Sequence, residues 1–397
     1  MPELLTVDEA IGLIDEHAQL LPVERVVVGG ATGRVLREPA TASVDLPPFP
    51  SSAMDGFAIR AADAPGELPI AYRVAAGAPP PGPLPPGGAA GISTGATVPA
   101  DADAVVPVEL VEDRGSRVVI PGTVEAGQHV RPRAGDVRAG DIVVLAGARL
   151  GPAQIGALAA TGVAAVVCST RPRVAVLATG SELRPAGDAL AQGQIYESNR
   201  AMIAAVLSQA NADVDVLPVV ADDVAAHREA IARGLDADVL VTSGGVSMGE
   251  HDLVRRTAAD LGVQEIFWGV AVKPGKPLSF GVRDRTLVFG LPGNPVSSLV
   301  SALVFVTPAL FALQGATDRL PRYVSGITST TLRRNPHRDE FVRAARVDHG
   351  GAVRLEPISG QESHMIARAA AADALVHVPR GEGAIEAGSL VRFLALD

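Results

Sequence analysis

The sequence predicts a multidomain α/β plus β protein. Its 397 residues exceed what one hydrophobic core organises, so we expect several domains. Between residues 171 and 320, continuous apolar strands alternate with helix-length segments, which predicts a doubly wound α/β domain with helices on both faces of a parallel sheet. Short Val-rich runs broken by Pro and Gly fill 46–140 and 321–397, which predicts a β-rich inserted domain and a C-terminal β-barrel.

The chain begins with a predicted helix over residues 6–20. Thr6 is the expected N-cap, and Glu9 three residues later completes a capping box. Residues 149–170 again predict a helix and then a strand. We therefore expect residues 1–45 and 141–170 to form one small helical linking domain, which the β-rich domain interrupts.

Composition excludes several functional classes. The net charge is −10 with no basic run, which argues against nucleic acid as a partner. The single cysteine, Cys168, excludes an internal disulfide framework and fits a reducing cytoplasm. The acidic, amphipathic N-terminal segment does not resemble a signal peptide, and no window approaches 18 uninterrupted apolar residues. We expect a cytoplasmic protein that spans no membrane.

Glycine-rich loops follow the strands of the predicted α/β domain. They read ATGSEL (178–183), TSGGVSMGEHD (242–252) and GLPGNPVS (290–297), each just before a helix. Ligands of open parallel sheets bind beyond the carboxyl ends of the strands. Glycine lets a phosphate approach the backbone, and a helix N-terminus offers free N–H donors. The three loops together predict an anion site, whereas each alone is an ordinary turn.

Acidic residues lie on or just after these loops, at Glu182, Asp222, Glu250 and Asp252. Acids also favour the N-terminal turn of a helix, so helix capping is one explanation. Beside an anionic ligand, the other explanation is a cation between ligand and protein, most often Mg²⁺. Both explanations stay open for Asp222.

The only lysines of the chain are Lys273 and Lys276, in VKPGKP. The two prolines and the glycine fix this segment as a turn. Lysine is a compact charge on a slim, flexible stem, which suits a crowded anion pocket. The pattern predicts anion binding. The alternative is that an arginine-rich coding bias left two lysines in a surface loop by chance.

Seven segments, in order, resemble one known family. They are PFPSSAMDGFA, TGATVPADADAVVPVE, GDVRAGD, RPRVAVLATGSEL, TSGGVSMGEHD, VKPGKPLSFG and GLPGNPVSSL. The family is the molybdopterin molybdenumtransferases of the MoeA type, to which the C-terminal part of gephyrin also belongs. Two departures stand out. Ser181 replaces the Asp of the usual T-G-D-E-L, and Ala134–Gly135–Asp136 replaces G-[E/S]-D.

The resemblance implies an activity and an assembly. Members insert molybdate into adenylylated molybdopterin, hydrolyse the adenylate and release AMP, with Mg²⁺ as the cofactor. The resemblance also implies a homodimer, in which the α/β domain of one subunit and the β-rich domain of the other share each site. A molybdopterin adenylyltransferase is a further partner that it allows.

The motifs and the resemblance together assign the site residues. Catalytic roles are expected for Asp55, Thr94, Asp136, Glu182, Asp252, Lys273 and Lys276. Substrate contacts are expected for Gly180, Ser181, Asp222, Ser243, Gly244, Gly245, Ser247, Pro292, Gly293, Asn294, Pro295 and Ser363. The expected metal ligands are Glu182, Asp222 and Asp252.

Two other functions compete with this one. A molybdopterin adenylyltransferase uses the same α/β domain, but it carries G-G-T-G where this chain reads SGGVSMG, and it lacks the β-rich domains. A non-catalytic scaffold is the second, since gephyrin anchors receptors. The intact set of acids and lysines argues against a pure scaffold.

Overall fold

The computed structural model describes residues 4–245 and 253–396, apart from the side chain at position 349. Three acids or hydroxyl residues singled out in the sequence, Ser247, Glu250 and Asp252, lie outside the described residues.

The N-terminal segment contains helix α1 (Val7–His17), followed by strands β1 (Val23–Val27) and β2 (Ala40–Thr41). The predicted capping box is confirmed: Thr6 Oγ1 accepts the Glu9 N–H, and Glu9 Oε2 accepts the Thr6 N–H. These bonds satisfy two backbone donors that a helix start leaves unpaired.

The inserted β-rich domain consists of strands and short 3₁₀ turns throughout 46–140. Its strands are β3 (Ser51–Ser52), β4 (Gly56–Ile59), β5 (Gly66–Val74), β6 (Ala89–Ile92), β7 (Ala104–Pro107), β8 (Glu112–Asp113), β9 (Arg117–Ile120) and β10 (Val130–Arg131). Six of them form one sheet in the order β7-β4-β6-β5-β9-β8, and β3 pairs with β10. The core is built from alternating residues such as Phe57 and Ile59 on one face and Ala58 on the other.

The chain then returns to the linking unit through β11 (Ile142–Val144), helix α2 (Pro152–Ala160) and β12 (Ala165–Ser169). Strand β11 pairs with β2, and β12 pairs with β1 along its whole length. The core beneath them is small and contains Leu36, Leu158 and Cys168.

Helix α1 packs outside that core. Its buried residues Ala10 and Ile14 lie in the core of the α/β domain, with Phe280 and Leu310. Helix α2 already covers the core of the linking unit, whereas the α/β domain offers α1 a larger apolar surface. Burial of apolar area scales with the surface available, so α1 packs there.

The α/β domain is confirmed. Its elements are β13 (Arg173–Ala178), β14 (Leu183–Arg184), β15 (Ile195–Tyr196), α3 (Asn199–Gln209), β16 (Asp213–Val216), α4 (Val224–Gly234), β17 (Val239–Ser243), α5 (Leu253–Asp260), β18 (Gln264–Trp268), β19 (Val272–Lys273), β20 (Ser279–Arg283), β21 (Thr286–Leu291), α6 (Pro295–Ser301), a π segment (Ala302–Val306) and α7 (Thr307–Gln314). The main sheet has the order β16-β13-β17-β21-β20-β18.

Both faces of this sheet are covered, as expected. Val174 and Val176 face the core shared with α3 and α7, while Ala175 and Leu177 face the one shared with α4 and α5. The predicted parallel sheet is present and is extended at one side by two antiparallel strands. Strands β16, β13, β17 and β21 are parallel, but β20 and β18 continue the sheet antiparallel. The two-residue turn between β20 and β21 leaves no room for a crossover helix.

The helical run from Pro295 to Gln314 is long and apolar enough to cross a membrane, with a mean hydropathy of 2.1. Within the protein, 83% of this apolar window is buried. Packing against the sheet and α1 accounts for its hydrophobicity, as in the central helix of a globular domain.

The C-terminal domain consists of β22 (Val324–Thr328), β23 (Leu332–Arg333), β24 (Asp339–His349), β25 (Ala352–Pro357), α8 (Ile366–Ala369), β26 (Ala374–Val378), β27 (Ala384–Ile385) and β28 (Leu390–Ala395). The order β24-β25-β22-β28-β26 closes through a further β24–β26 pairing, which confirms the predicted β-barrel. Strand β19 of the α/β domain joins this barrel beside β24.

Candidate functional site

The carboxyl ends of β13, β17 and β21 open into one cavity of about 830 Å³. Parallel neighbours end at the same edge of a sheet, so the three glycine-rich loops meet there. The predicted site residues that line the cavity are Gly180, Glu182, Asp222, Ser243, Gly244, Gly245, Lys276, Pro292, Gly293, Asn294 and Pro295.

A buried side-chain network fixes the three loops relative to one another. Asn199 Nδ2 donates to Ser243 Oγ at 2.8 Å and to the Gly293 carbonyl at 2.7 Å. Ser243 Oγ lies 3.3 Å from Ser298 Oγ, and both serines are almost fully buried. None of the sequence motifs contains Asn199. Its position in the first turn of a helix that faces the loop edge was the available signal for this contact.

Gly244 is required by its backbone and by its neighbour. Its φ is +90°, and a Cβ there would lie 2.8 Å from the Thr179 carbonyl oxygen. The Gly244 N–H donates to the Leu291 carbonyl at 3.1 Å. A side chain would therefore push apart the loops after β13, β17 and β21.

Ser181 and Asp222 bind each other across two loops. The Ser181 N–H donates to Asp222 Oδ2 at 3.2 Å, and the Asp222 N–H donates to Ser181 Oγ at 3.0 Å. The neighbouring Asp223 has the separate role of N-cap for α4, because its Oδ1 accepts the Ala226 N–H at 2.8 Å. Ser181 itself does not line the cavity, whereas Asp222 does.

The acidic residues that line the cavity differ in whether they form an ion pair with another side chain. The Glu197 carboxylate accepts hydrogen bonds from the backbone N–H and the Nε of Arg200, at 2.8 and 2.9 Å. Only 5% of the Glu197 side chain is exposed. Glu182 and Asp222 line the same cavity and make no ion pair with any described residue. Within 4–245 and 253–396, no three His, Cys, Asp or Glu side chains are arranged to hold a metal ion.

The two lysines lie in different surroundings. Lys276 lines the cavity and is the one Lys or Arg to do so among the described residues. Lys273 is outside the lining, with its Nζ 3.1 Å from Glu340 Oε1 of the C-terminal domain. Both lysines were expected to hold an anion, but only Lys276 lines the cavity.

The C-terminal domain reaches the cavity through one loop. The Ser363 carbonyl accepts the Val296 N–H at 3.0 Å, and the next residue, His364, lines the cavity. Arg343 is 1% exposed and donates to the carbonyls of Gly360 and Met365, at 2.7 and 2.8 Å, which holds this loop. The sequence did not single out the lining residues Tyr196, Trp268 and His364, because no motif contains them.

The predicted residues of the β-rich domain form a separate group. Thr94 donates to Asp55 through its N–H at 2.9 Å and through Oγ1 at 3.0 Å. These bonds, the backbone one first, hold the pKa of Asp55 below its usual value. Asp136 is also exposed on this domain. None of the three lines the cavity of the same chain.

A second cavity, of about 910 Å³, lies between α1 and the C-terminal barrel. Arg380, Arg392 and Tyr323 are among its walls, and it contains none of the predicted site residues. The cavity at the loop edge is therefore the candidate site.

Comparison with family models covers most of the chain in three matches. Residues 5–162 match the MoeA N-terminal region (domains I and II), and residues 175–312 match a probable molybdopterin-binding domain. Residues 325–396 match the MoeA C-terminal region (domain IV). The candidate cavity falls largely within the second match.

Curated relatives align over nearly the whole chain. A molybdopterin molybdenumtransferase of Haemophilus influenzae is 33% identical over 395 residues, covering 98% of both chains. Molybdopterin molybdenumtransferase 2 of Mycobacterium tuberculosis is 37% identical over 376 residues, covering 90% of this chain and 91% of the relative.

Solved structures give the same result. Two structures of a molybdopterin biosynthesis MoeA protein from Pyrococcus horikoshii superimpose with TM-scores of 0.79 and 0.84, at 28% and 26% identity. They cover 100% and 99% of this chain, and all of the compared chain in both cases. The likeness extends over all the domains described above.

Proposed function

The chain belongs to the MoeA family of molybdopterin molybdenumtransferases, and from this we propose that it inserts molybdate into adenylylated molybdopterin, hydrolysing the adenylate and releasing AMP. One observation carries the proposal: Lys276, Glu182 and Asp222 line the single cavity in which the three glycine-rich loops meet. Its volume of about 830 Å³ suits a nucleotide-sized ligand.

Two features of the cavity suit an anion. The glycines of the three loops line it, and glycine lets a phosphate approach the backbone closely. The ammonium group of Lys276 offsets the negative charge that develops on the transferring oxygens when a pyrophosphate is cleaved. Molybdate is a dianion and needs the same positive surroundings.

We propose Mg²⁺ as the cofactor, held by Glu182 and Asp222. The donor set fits, since Mg²⁺ is commonly bound by one or two carboxylates, with waters and substrate phosphates completing its shell. The Glu182 carboxylate lies directly against the backbone of Gly180, since a Cβ added to Gly180 would be 2.6 Å from Glu182 Oε2. When bound, the metal would polarise phosphate oxygens and offset their charge. The predicted ligand Asp252 lies outside the described residues.

We further propose that the protein acts as a homodimer whose site is shared between subunits. Asp55, Thr94 and Asp136 are exposed, away from the cavity of their own chain. Exposed apolar side chains accompany Asp55, namely Phe49, Met54, Val108 and Leu110, with exposed fractions of 38–57%. Such a patch around a polar pair is typical of a surface that a partner covers. A second copy would bring these residues to the cavity.

Cytoplasmic location and docking of a molybdopterin adenylyltransferase stay predictions. Cys168 is free and buried, which agrees with a reducing compartment. Fractionation of cells that express the tagged chain tests the first prediction. Co-purification with the adenylyltransferase of the same cells tests the second.

The activity is tested by incubating purified protein with adenylylated molybdopterin and molybdate, with and without Mg²⁺. We expect AMP and molybdenum cofactor in the complete mixture, and a large loss of both after chelation. If instead molybdopterin and ATP yield adenylylated pterin, the adenylyltransferase function replaces this one. If neither mixture reacts, the scaffold function gains.

A further inference from the structure

We propose that Glu340, in the C-terminal barrel, is a positioning residue for Lys276 and acts through Lys273. The inference rests on the proposed function, because it concerns the lysine that lines the same cavity. It gives the two lysines different tasks. Lys276 meets the anion, and Lys273 anchors the turn that carries Lys276.

The backbone joins the two domains at this point. Strand β19 pairs with β24 in parallel, with Val272 opposite Asp339 and Lys273 opposite Glu340. The Asp339 N–H also donates to the Ala271 carbonyl at 2.9 Å. The beginning of the VKPGKP turn is thus an edge strand of the barrel sheet, and movement of the barrel carries it along.

The side chains reinforce this junction. Lys273 Nζ lies 3.1 Å from Glu340 Oε1, and only 17% of the Glu340 side chain is exposed. The same oxygen accepts a hydrogen bond from Asn335 Nδ2 at 3.1 Å. Asn335 Oδ1 in turn accepts the N–H groups of His337 and Arg338, at 3.0 and 3.1 Å. The carboxylate therefore has a fixed direction that does not depend on the lysine.

The other end of the turn is closed by its own backbone. The Lys276 carbonyl accepts the N–H groups of Val270 and Leu278, at 3.1 and 2.9 Å. Gly275 is pressed against α6, where a Cβ would lie 3.1 Å from Ser301 Oγ. A turn held at both ends moves as one piece, so a shift at Lys273 reaches Lys276 three residues later.

Loss of the Glu340 charge should release the turn and leave Lys276 less well placed. Small displacements of a group that contacts the reacting atoms cost up to about 100-fold in rate. The variant is Glu340→Gln, which keeps the shape of the side chain. The control is Glu356→Gln on β25, an exposed acid of the same sheet.

Amide hydrogen exchange tests the anchor without any substrate. In the full-length protein, Glu340→Gln should speed exchange of the Val270 and Leu278 amides by roughly 10-fold, since these amides close the turn. Glu356→Gln should leave their exchange unchanged. Unchanged exchange in Glu340→Gln overturns the proposal, whatever the enzyme assays show.

Turnover tests the consequence. Glu340→Gln should lower kcat for AMP release by roughly 10- to 100-fold. Lys273→Met should lower it equally, and the double variant should be no worse than either single variant. The reversed pair, Lys273→Glu with Glu340→Lys, should recover most of the loss, which a general loss of folding cannot explain.

Some results would overturn the proposal outright. One is a loss in Lys273→Met ten or more times larger than that in Glu340→Gln, because Lys273 would then contact the ligand itself. Another is wild-type kcat in Glu340→Gln. If the wild-type protein releases no AMP, the proposed function fails, and the exchange measurement still decides whether Glu340 anchors the turn.

Discussion

The α/β domain and the β-rich inserted domain both carry predicted site residues, but only the first gathers them within one chain. Eleven predicted residues converge at the carboxyl edge of the α/β sheet. Asp55, Thr94 and Asp136 stay exposed on the inserted domain. Parallel strands must end at one edge, so their loops meet by construction. The inserted domain has no such constraint, and its predicted residues lie apart from the cavity of the same chain.

The difference also separates two kinds of polar residue. In the α/β domain, the buried bond from Asn199 to Ser243 fixes loops that carry the site. The Asp55–Thr94 pair is held by two exposed hydrogen bonds. The first set is preorganised by the fold, whereas the second is exposed in the single chain, and a partner subunit would cover it in the proposed dimer.

The largest expected effect is at the centre of the preorganised set. Lys276→Ala should lower AMP release by roughly 10²- to 10³-fold, because it removes the cation that offsets developing charge. Thermal stability should hardly change, as measured by differential scanning fluorimetry. Arg173→Ala, at the opposite edge of the same sheet, is the control and should keep full turnover. Wild-type turnover in Lys276→Ala would remove this lysine from the site.

The exposed pair should matter nearly as much, despite its distance from the cavity of its own chain. Asp55→Asn should lower AMP release by about 100-fold, since a carboxylate that meets the ligand loses its charge. Its melting temperature should fall only slightly, because the bonds that Asp55 accepts from Thr94 are exposed to water. If activity is kept, the inserted domain does not belong to the site.

Two adjacent acids, Asp222 and Asp223, should differ in the same way, one acting in the site and the other in the fold. Asp223→Ala removes an N-cap and should cost about 1 kcal/mol of stability with turnover retained. Asp222→Ala should keep stability but raise the Mg²⁺ concentration for half-maximal AMP release by roughly 10-fold. Thermal unfolding and magnesium titration measure the two effects. A stability loss in Asp222→Ala together with a weaker magnesium response in Asp223→Ala would contradict the assigned roles.

The smallest effect is in the protonation of Asp55. Thr94→Val removes the hydroxyl bond and keeps the backbone one, so the pKa of Asp55 should rise towards its ordinary value. Because the folded-state pKa is lowered, ionised Asp55 stabilises its loop above the ordinary pKa, and this is lost as pH falls through the folded value. In Thr94→Val this stabilisation should be smaller, and its loss should be complete at a higher pH. NMR titration of the carboxyl carbon measures it, and an unchanged or lower pKa contradicts it.

The sequence located the loop edge of the α/β sheet because the periodicity of strands and helices alone defines it. Gly180, Gly244 and Gly293 follow strands whose apolar runs are unmistakable. The sequence could not separate the roles of Lys273 and Lys276, since the partner of Lys273 is 67 residues away in another domain. Residue spacing carries no information about such a contact.

The fold was predicted less completely at its junctions. The capping box defined α1, but its amphipathic face does not reveal which core it joins. The sequence did not predict the antiparallel direction of β18 and β20, because antiparallel and parallel strands have the same apolar composition. The sequence also did not predict the role of Arg343, because its hydrogen-bond partners are main-chain carbonyls, which no motif identifies.

Mixing two inactive variants tests most directly whether the α/β loops of one subunit and the inserted domain of the other form one site. Asp55→Asn and Lys276→Ala are unfolded and refolded together in equal amounts, then assayed for AMP release. A shared site predicts recovery of about one quarter of wild-type activity, because half of the dimers are mixed and each has one intact site. No recovery, from a mixture shown to contain mixed dimers, would contradict the account.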